Sequence, residues 1–401
     1  MQERQGPMTG LRVLDITTMF SGAFGATLLG DFGADVIKVE LPGSGDPVRA
    51  MAPSKDGVSL VWSVLSRNKR TITLDIRKPA GRALLLRLVE TSDLLFENFR
   101  PGTLDRYNLS YDTLRAANPR LVVVRVSGYG QTGPHREKAG FGTPATAFSG
   151  LTYMTGYPDR PPVNQPFPLA DYATGVFAAL AAVMAVYHRD TQGADGQEID
   201  LALYESLFRL IESIVPAHDQ LGVVAERRGN ALGVASPVGT YATRDDGWVV
   251  LTASTDRTFL RFCEVTGQPE LPADPRFASN ELRVQHNAEL EPFVATWFAA
   301  HDRDDAIRLL DEAGVPVSPL MSIEDIFTDP HYAARGNLVE VDHPTLGSIT
   351  MPGIVPSFSS TPGAVRHAGA HALGAFNTDV YGDLLGLSDD ELRQLREEGV
   401  I

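Results

Sequence analysis

Thiol chemistry is nearly missing from this 401-residue chain, which carries one cysteine, Cys263. A single thiol closes no disulfide within the chain and builds no thiolate metal cluster, and it suits a reducing, cytoplasmic setting. Cys263 follows Phe262 in a helical pattern, where it reads as a small buried hydrophobe. Histidine is sparse as well: nine are scattered along the chain, and only His367 and His371 stand at helical spacing. No H-E-x-x-H occurs, so no metal site is expected. Positive charge is in deficit, 35 Lys+Arg against 50 Asp+Glu, for a net charge of -15. That excludes a broad surface for nucleic acid or an anionic membrane, while a local cluster of arginines can still hold a small anion. The most apolar run, Val176–Tyr187, has twelve residues and falls short of a bilayer span. The opening stretch MQERQGPMTG lacks the apolar core of a signal peptide. The first strand pattern also lacks the dinucleotide-binding glycine loop that would follow it. After the first apolar run, TTMFSGAFG places Gly22 and Gly25 out of G-x-G-x-x-G spacing, and there is neither a Walker A motif nor a G-x-S-x-G elbow.

What the chain does have is an ordinary globular composition, 43% hydrophobic, enriched in the turn formers Gly (37) and Pro (27). Over the first 130 residues, strand patterns at Leu11–Ile16, Val36–Glu40, Arg70–Asp75, Asp93–Glu97 and Leu121–Ser127 alternate with helical ones. Four or five strands spaced by helices predict a doubly wound parallel sheet. An irregular Gly/Pro-rich stretch at 140–170 leads into an apolar helix, Tyr172–His188, and a second helical pattern covers Ile199–His218. The composition shifts near 220. A charged segment, Glu226–Gly233, precedes a hairpin at Pro237–Ala253 with its turn at Asp246-Gly247, then helices at 256–266, 287–300 and 303–312. A second hairpin turns at Pro344–Gly347, and Ser388 with Glu391 forms a capping box for the last helix. The expected fold class is α/β. Residues 1–219 give a Rossmann-like large domain with a parallel sheet, 220–325 a smaller α+β domain, and 326–401 a return that completes the large one.

Three features stand out chemically. The run Gly128–Pro134, GYGQTGP, leaves the clearest buried strand directly, where open α/β sheets bind ligands, and a plain turn would look the same. Asp171 stands between the irregular stretch and the apolar helix, either as that helix's N-cap or as a nucleophile or base. Arg49, Arg67, Lys69, Arg70, Arg100 and Arg106 gather near strand ends in the first quarter of the chain, as surface charge or as anchors for a phosphorylated ligand.

Taken in order, Leu29–Glu40 (LGDFGADVIKVE), Gly43–Asp46, Asn68–Arg70, Glu97–Gly102 (ENFRPG), Ser127–Pro134, Gly193–Gln197, His343–Gly347 and Pro352-Gly353 resemble the class III CoA-transferase family, over nearly the whole chain. The family also contains the 2-methylacyl-CoA racemases. The resemblance implies that Asp171 is the catalytic aspartate, forming an acyl anhydride and then a CoA thioester. It implies that Arg106 contacts CoA phosphates, that Asn98 and Phe99 line the nucleotide end, and that Lys69 and Arg70 assist. A CoA thioester is then substrate, with no resident cofactor and no metal. The partners are an acyl-CoA donor and a carboxylic acid acceptor, succinyl-CoA being a reasonable donor, and the architecture is an interlocked homodimer. Two departures matter. Phe20 and Leu41 occupy places that hold a glutamine and an arginine in some formyl-CoA transferases, which argues against formyl or oxalyl transfer. Ala139–Thr143 reads AGFGT where racemases carry a histidine, and Phe141 abstracts no proton, which favours transferase over racemase. A CoA-binding protein without turnover is a third reading.

Overall fold

Strands that are apolar along their whole length need cover on both faces, and the first strands of this chain find it. The computed structural model describes residues 6–401; residues 1–5 of the expected large domain lie outside the described residues. The main sheet comprises β1 (Arg12–Asp15), β2 (Asp35–Glu40), β3 (Lys69–Thr73), β4 (Leu94–Glu97), β5 (Val122–Ser127) and β6 (Glu198–Ala202). Their order is β3-β2-β1-β4-β5-β6, and every ladder is parallel. Val13 of β1 stands opposite Val36 of β2 and Leu94 of β4. On one face Leu14, Ile37, Ile72, Leu95 and Val123 are sealed by Leu84, Leu85 and Leu88. On the other, Val13, Val36, Phe96 and Val124 are sealed by α1 (Ser21–Asp31) and the long helix Leu169–Gln192.

The sixth strand departs from the sequence expectation. Glu198–Ala202 begins the region expected to be helical at Ile199–His218, yet it pairs with β5. Exposed Glu198 and Asp200 alternate with half-buried Ile199 and Leu201, the period of an edge strand. Helix resumes at Leu203–Leu210 and Ile214–Leu221. The stretch 140–170 holds two short helices, Gly142–Phe148 (α2 hereafter) and Leu151–Met154. The helix Leu169–Gln192, α3 hereafter, is long and apolar enough to cross a membrane by length and composition. Its inner face is small, with Ala170, Thr174, Gly175, Ala178 and Ala182 buried, while Val176, Leu180, Met184 and Tyr187 are exposed. Small residues let α1 and α3 cross closely: a Cβ on Gly25 would lie 2.9 Å from the Gly175 carbonyl, and one on Gly175 2.8 Å from the Ser21 carbonyl.

The chain divides into two compact units: Met1–Thr152 with Gln165–Leu221 and Ala333–Ile401, and Tyr153–Asn164 with Gly222–Tyr332. Tyr153–Asn164 therefore groups with the second unit and not with the large domain. Its contacts explain this: the Tyr153 hydroxyl donates to Glu226 at 2.6 Å, Arg227 donates to the Tyr153 carbonyl at 2.9 Å, and Gly229 N–H donates to the Gly156 carbonyl at 2.9 Å. The C-terminal stretch packs in the first unit. Asn377 exchanges hydrogen bonds with Thr73, the Tyr381 hydroxyl donates to the Thr73 carbonyl at 2.8 Å, and Asp75 N–H donates to the Val400 carbonyl. The second unit is an antiparallel sheet of β7 (Val238–Ala242), β8 (Trp248–Thr252) and β9 (Val317–Pro319), with helices burying Phe259, Phe262, Leu290, Val294, Phe298 and Leu310. Cys263 lies in that core, where burial pushes its thiol up to about 12.

Candidate active site

In a sheet of this order, the chain reverses direction between β1 and β4, and a crevice opens outside the carboxyl ends of the strands there. A cavity of about 200 Å³ occupies that position, lined by Thr18 and Met19 after β1, Asn98–Pro101 after β4, Ser127 and Gly128 at the end of β5, and Asp171. A second cavity of about 350 Å³ adjoins it. It is lined by Val39 and Leu41 of the β2 end, Gly45–Pro47, Leu74–Arg77 and Tyr107, and it shares Thr18 and Phe99 with the first.

Asp171 is not the N-cap of α3. The helix begins at Leu169 with Pro168 at the cap, so Asp171 falls in the first turn. From there its carboxylate enters the cleft beside Gly142, the first residue of α2. A Cβ on Gly142 would overlap Asp171 Oδ2, so glycine here leaves room for the carboxylate in this position. Burial raises the Asp171 carboxyl to about 6. A partly desolvated carboxylate of this kind is a stronger nucleophile and base than one in water, and it is ionised at neutral pH.

Asn98 and Phe99 both line the cleft with Asp171. The Asn98 amide is engaged on both sides of the β1–α1 loop: its Oδ1 accepts from Thr18 N–H at 2.8 Å and its Nδ2 donates to the Thr18 carbonyl at 2.6 Å. Phe99 forms part of the wall common to both cavities. Arg106 is exposed on the short helix Thr103–Arg106, between Pro101 of the cleft and Tyr107 of the larger cavity, and donates to the Thr103 hydroxyl at 2.9 Å.

Lys69 and Arg70 require a correction. Lys69 is fully buried, and its ammonium donates to Asp15 at 2.9 Å and to the Ala23 carbonyl at 2.7 Å. Arg70 pairs with Asp35 at the opposite, amino-terminal edge of the sheet. Neither faces the cleft. Arg49 is likewise held by Glu40, and Arg67 by Asp31. Four of the six cations that suggested an anion site thus neutralise buried carboxylates, which alone explains their place near strand ends. Asp35 keeps Arg12 as a partner, so we expect Arg70→Ala to lower stability by about 1–3 kcal/mol and to leave the KM for any acyl-CoA unchanged, a comparison for thermal melting and initial rates.

Arg100 does line the cleft, joined by Arg136 and Lys138, which sequence reasoning missed. The signal was present: these two follow directly on Gly128–Pro134, the loop singled out as leaving the buried strand. Phe141 also lines the cleft, and among the described residues no histidine does. His135 instead packs edge-on against Tyr129 and Phe148. Among the described residues no group of three or more His, Cys, Asp or Glu is arranged to hold a metal ion.

Three comparisons bear on this site. The family model for CoA-transferase family III matches residues 8–375. The chain is 43% identical over 396 residues to the succinyl-CoA–D-citramalate CoA-transferase of Chloroflexus aurantiacus, covering 98% of each. It is 38% identical over 402 residues to the alpha subunit of a succinyl-CoA–L-malate CoA-transferase from Chloroflexus aurantiacus, covering 100% of this chain and 94% of that one. A crystal structure of a CAIB/BAIF family protein from Brucella suis matches with a TM-score of 0.84 at 30% identity, over 95% of this chain and 100% of that chain.

Proposed function

This chain belongs to CoA-transferase family III, and from that premise we propose that it moves CoA from an acyl-CoA, with succinyl-CoA as donor, to a dicarboxylic acid. The observation that carries this reading is a desolvated carboxylate, Asp171, in a cleft that also receives Arg100, Arg136 and Lys138. A nucleophile that is itself a carboxylate allows acyl exchange without ATP, because each step trades one activated acyl group for another.

An Asp171 oxygen attacks the thioester carbonyl, the C–S bond breaks, and CoA leaves as thiolate with an acyl-aspartyl anhydride behind it. The thiolate attacks the aspartyl carbonyl, releases the donor carboxylate and leaves an aspartyl-CoA thioester. The acceptor carboxylate attacks that thioester, again expelling the thiolate. The thiolate then takes the acceptor's acyl group and frees Asp171. The developing oxyanions and the thiolate require nearby donors or positive charge, and the three cations of the cleft suit that task as well as the substrate's own anionic groups. Phe99 and Tyr107 of the larger cavity suit the nucleotide end, with Arg106 beside it for phosphate. The racemase alternative needs a second base, and the cleft's lining holds Phe141 in place of one.

We further propose that the molecule works as a homodimer in the cytoplasm. The exposed row Val176, Leu180, Met184 and Tyr187 follows helical spacing along α3 and suits burial against a second copy.

The test is a mass-spectrometric screen of the purified protein with succinyl-CoA and a panel of dicarboxylates. New thioesters, together with hydroxylamine capture of an acyl group on the peptide carrying Asp171, support the reading; a panel with no new thioester sinks it. Because the attacking group must be ionised, single-turnover acylation falls about tenfold per pH unit below about 6. Acylation that stays flat from pH 7 to pH 5 contradicts that assignment.

A further inference from the structure

The loop Ile16–Phe20 between β1 and α1 borders both cavities: Thr18 and Met19 line the cleft with Asp171, and Ile16 and Thr18 line the larger cavity. It belongs to no ladder, and Met19 stands at φ 64°, a conformation that costs a non-glycine residue about 1 kcal/mol or more. Such a loop keeps its shape only if its surroundings hold it.

A cluster of buried charges does so. Thr17 donates from N–H and hydroxyl to Asp15 Oδ1, at 3.0 and 2.5 Å. The Thr17 carbonyl accepts from Lys38 Nζ, and Met19 N–H donates to Asp46 Oδ1 at 3.3 Å. Lys38 joins the two carboxylates, 3.5 Å from Asp15 and 3.2 Å from Asp46. The ammonium thus hydrogen-bonds one carbonyl and ion-pairs with two carboxylates, all inside the protein. Asp46 belongs to the wall of the larger cavity, where its Oδ1 also accepts from Val48 N–H at 3.0 Å and its own N–H donates to Glu40 at 2.9 Å. Lys38 is 1% exposed in a strand buried at every position. An apolar residue of the same volume would seal that strand without the desolvation cost of an ammonium. The lysine therefore has a task that filling space does not perform.

We propose that Lys38 and Asp46 are positioning residues: the ammonium locks the β1–α1 loop of the acyl cleft to the Gly45–Val48 loop of the neighbouring cavity, so that the two ends of one CoA thioester are held in register. The proposal rests on the CoA-transfer reading above. It gives these residues no contact with reacting atoms, only control over the loops that line the two cavities.

Asp46→Asn tests it with little change of volume. The amide keeps an acceptor for Met19 N–H but turns a donor toward the ammonium. In the unliganded variant, amide hydrogen exchange at residues 17–20 should rise about tenfold. With succinyl-CoA, kcat should fall by roughly tenfold or more, and the Kd for free CoA should rise severalfold. Asp31→Asn is the comparator: Asp31 is buried against Arg67 and lines neither cavity. It should lower Tm comparably yet leave kcat unchanged below its own melting range. Unchanged amide exchange at residues 17–20 in Asp46→Asn, or equal kcat in the two variants, overturns the positioning role. Absence of any CoA exchange in the unaltered protein would overturn the transfer reading instead, and the amide-exchange comparison would still decide this one.

Discussion

Asp171→Asn should end CoA exchange and at the same time make the protein more stable at pH 7. The loss of activity follows from the chemistry: an amide oxygen neither attacks a thioester at a useful rate nor forms an anhydride, and among the described residues no other carboxylate lines the cleft. The gain in stability follows from linkage. Burial raises the Asp171 carboxyl from 3.8 to about 6, so between those values the folded state binds more protons than the unfolded one. Stability then falls as pH rises through that window, and above it the protein carries the cost of an ionised carboxylate in a poorly solvated place. The full shift corresponds to about 3 kcal/mol, an upper bound because the side chain is half-buried and partly screened. The variant should therefore melt a few degrees higher at pH 7 and 8, and the difference should close by pH 4, a comparison for calorimetry across pH. Asn at this position also keeps the shape against Gly142. Residual exchange above a few per cent of the original rate would contradict the nucleophile assignment, and a lower Tm at pH 7 would contradict the desolvation argument.

Gly142→Ala should be the second most damaging single change, though it adds only one methyl group. That methyl would overlap Asp171 Oδ2, so either the carboxylate rotates away or the start of α2 moves. A displacement near 1 Å at the attacking atom costs about 10²-fold in rate. Folding should suffer little: overpacking costs about 1–3 kcal/mol, and the atom met is the free end of a side chain that can turn. The expected result is a loss of about two orders of magnitude in kcat with Tm within a few degrees of the original. Near-normal kcat would show that the carboxylate does not act from the position in which Gly142 holds it.

The sheet was legible because its strands are apolar on both faces, a pattern that survives without knowledge of tertiary contacts. β6 escaped for the opposite reason. EIDLA is an edge strand with a short alternating pattern, and it abuts a true helix whose periodicity absorbed it. Asp171 stood out through its setting, an acid between a glycine-rich stretch and an apolar helix, but only the position of the helix start removes the N-cap reading. Lys69 and Arg70 misled because sequence displays a cation without its counterion. Asp15 and Asp35, which take up those charges, lie 54 and 35 residues away. The grouping of Tyr153–Asn164 with the second unit depends on bonds to residues 226–230, and no local pattern records such bonds.

The seal between Thr73 and the C-terminal stretch has a consequence for biosynthesis. Asn377 is 304 residues downstream of Thr73, so a ribosome finishes β3 long before it makes the side chains that complete its surroundings. Until Tyr381 and Leu392 arrive, the leucines of the helix over that face have part of their apolar surface uncovered. The nascent chain should lean on chaperones during this interval, and contacts of such long range should make refolding slow. Synthesis of residues 377–392, more than any step within the sheet, then sets when that face is first closed.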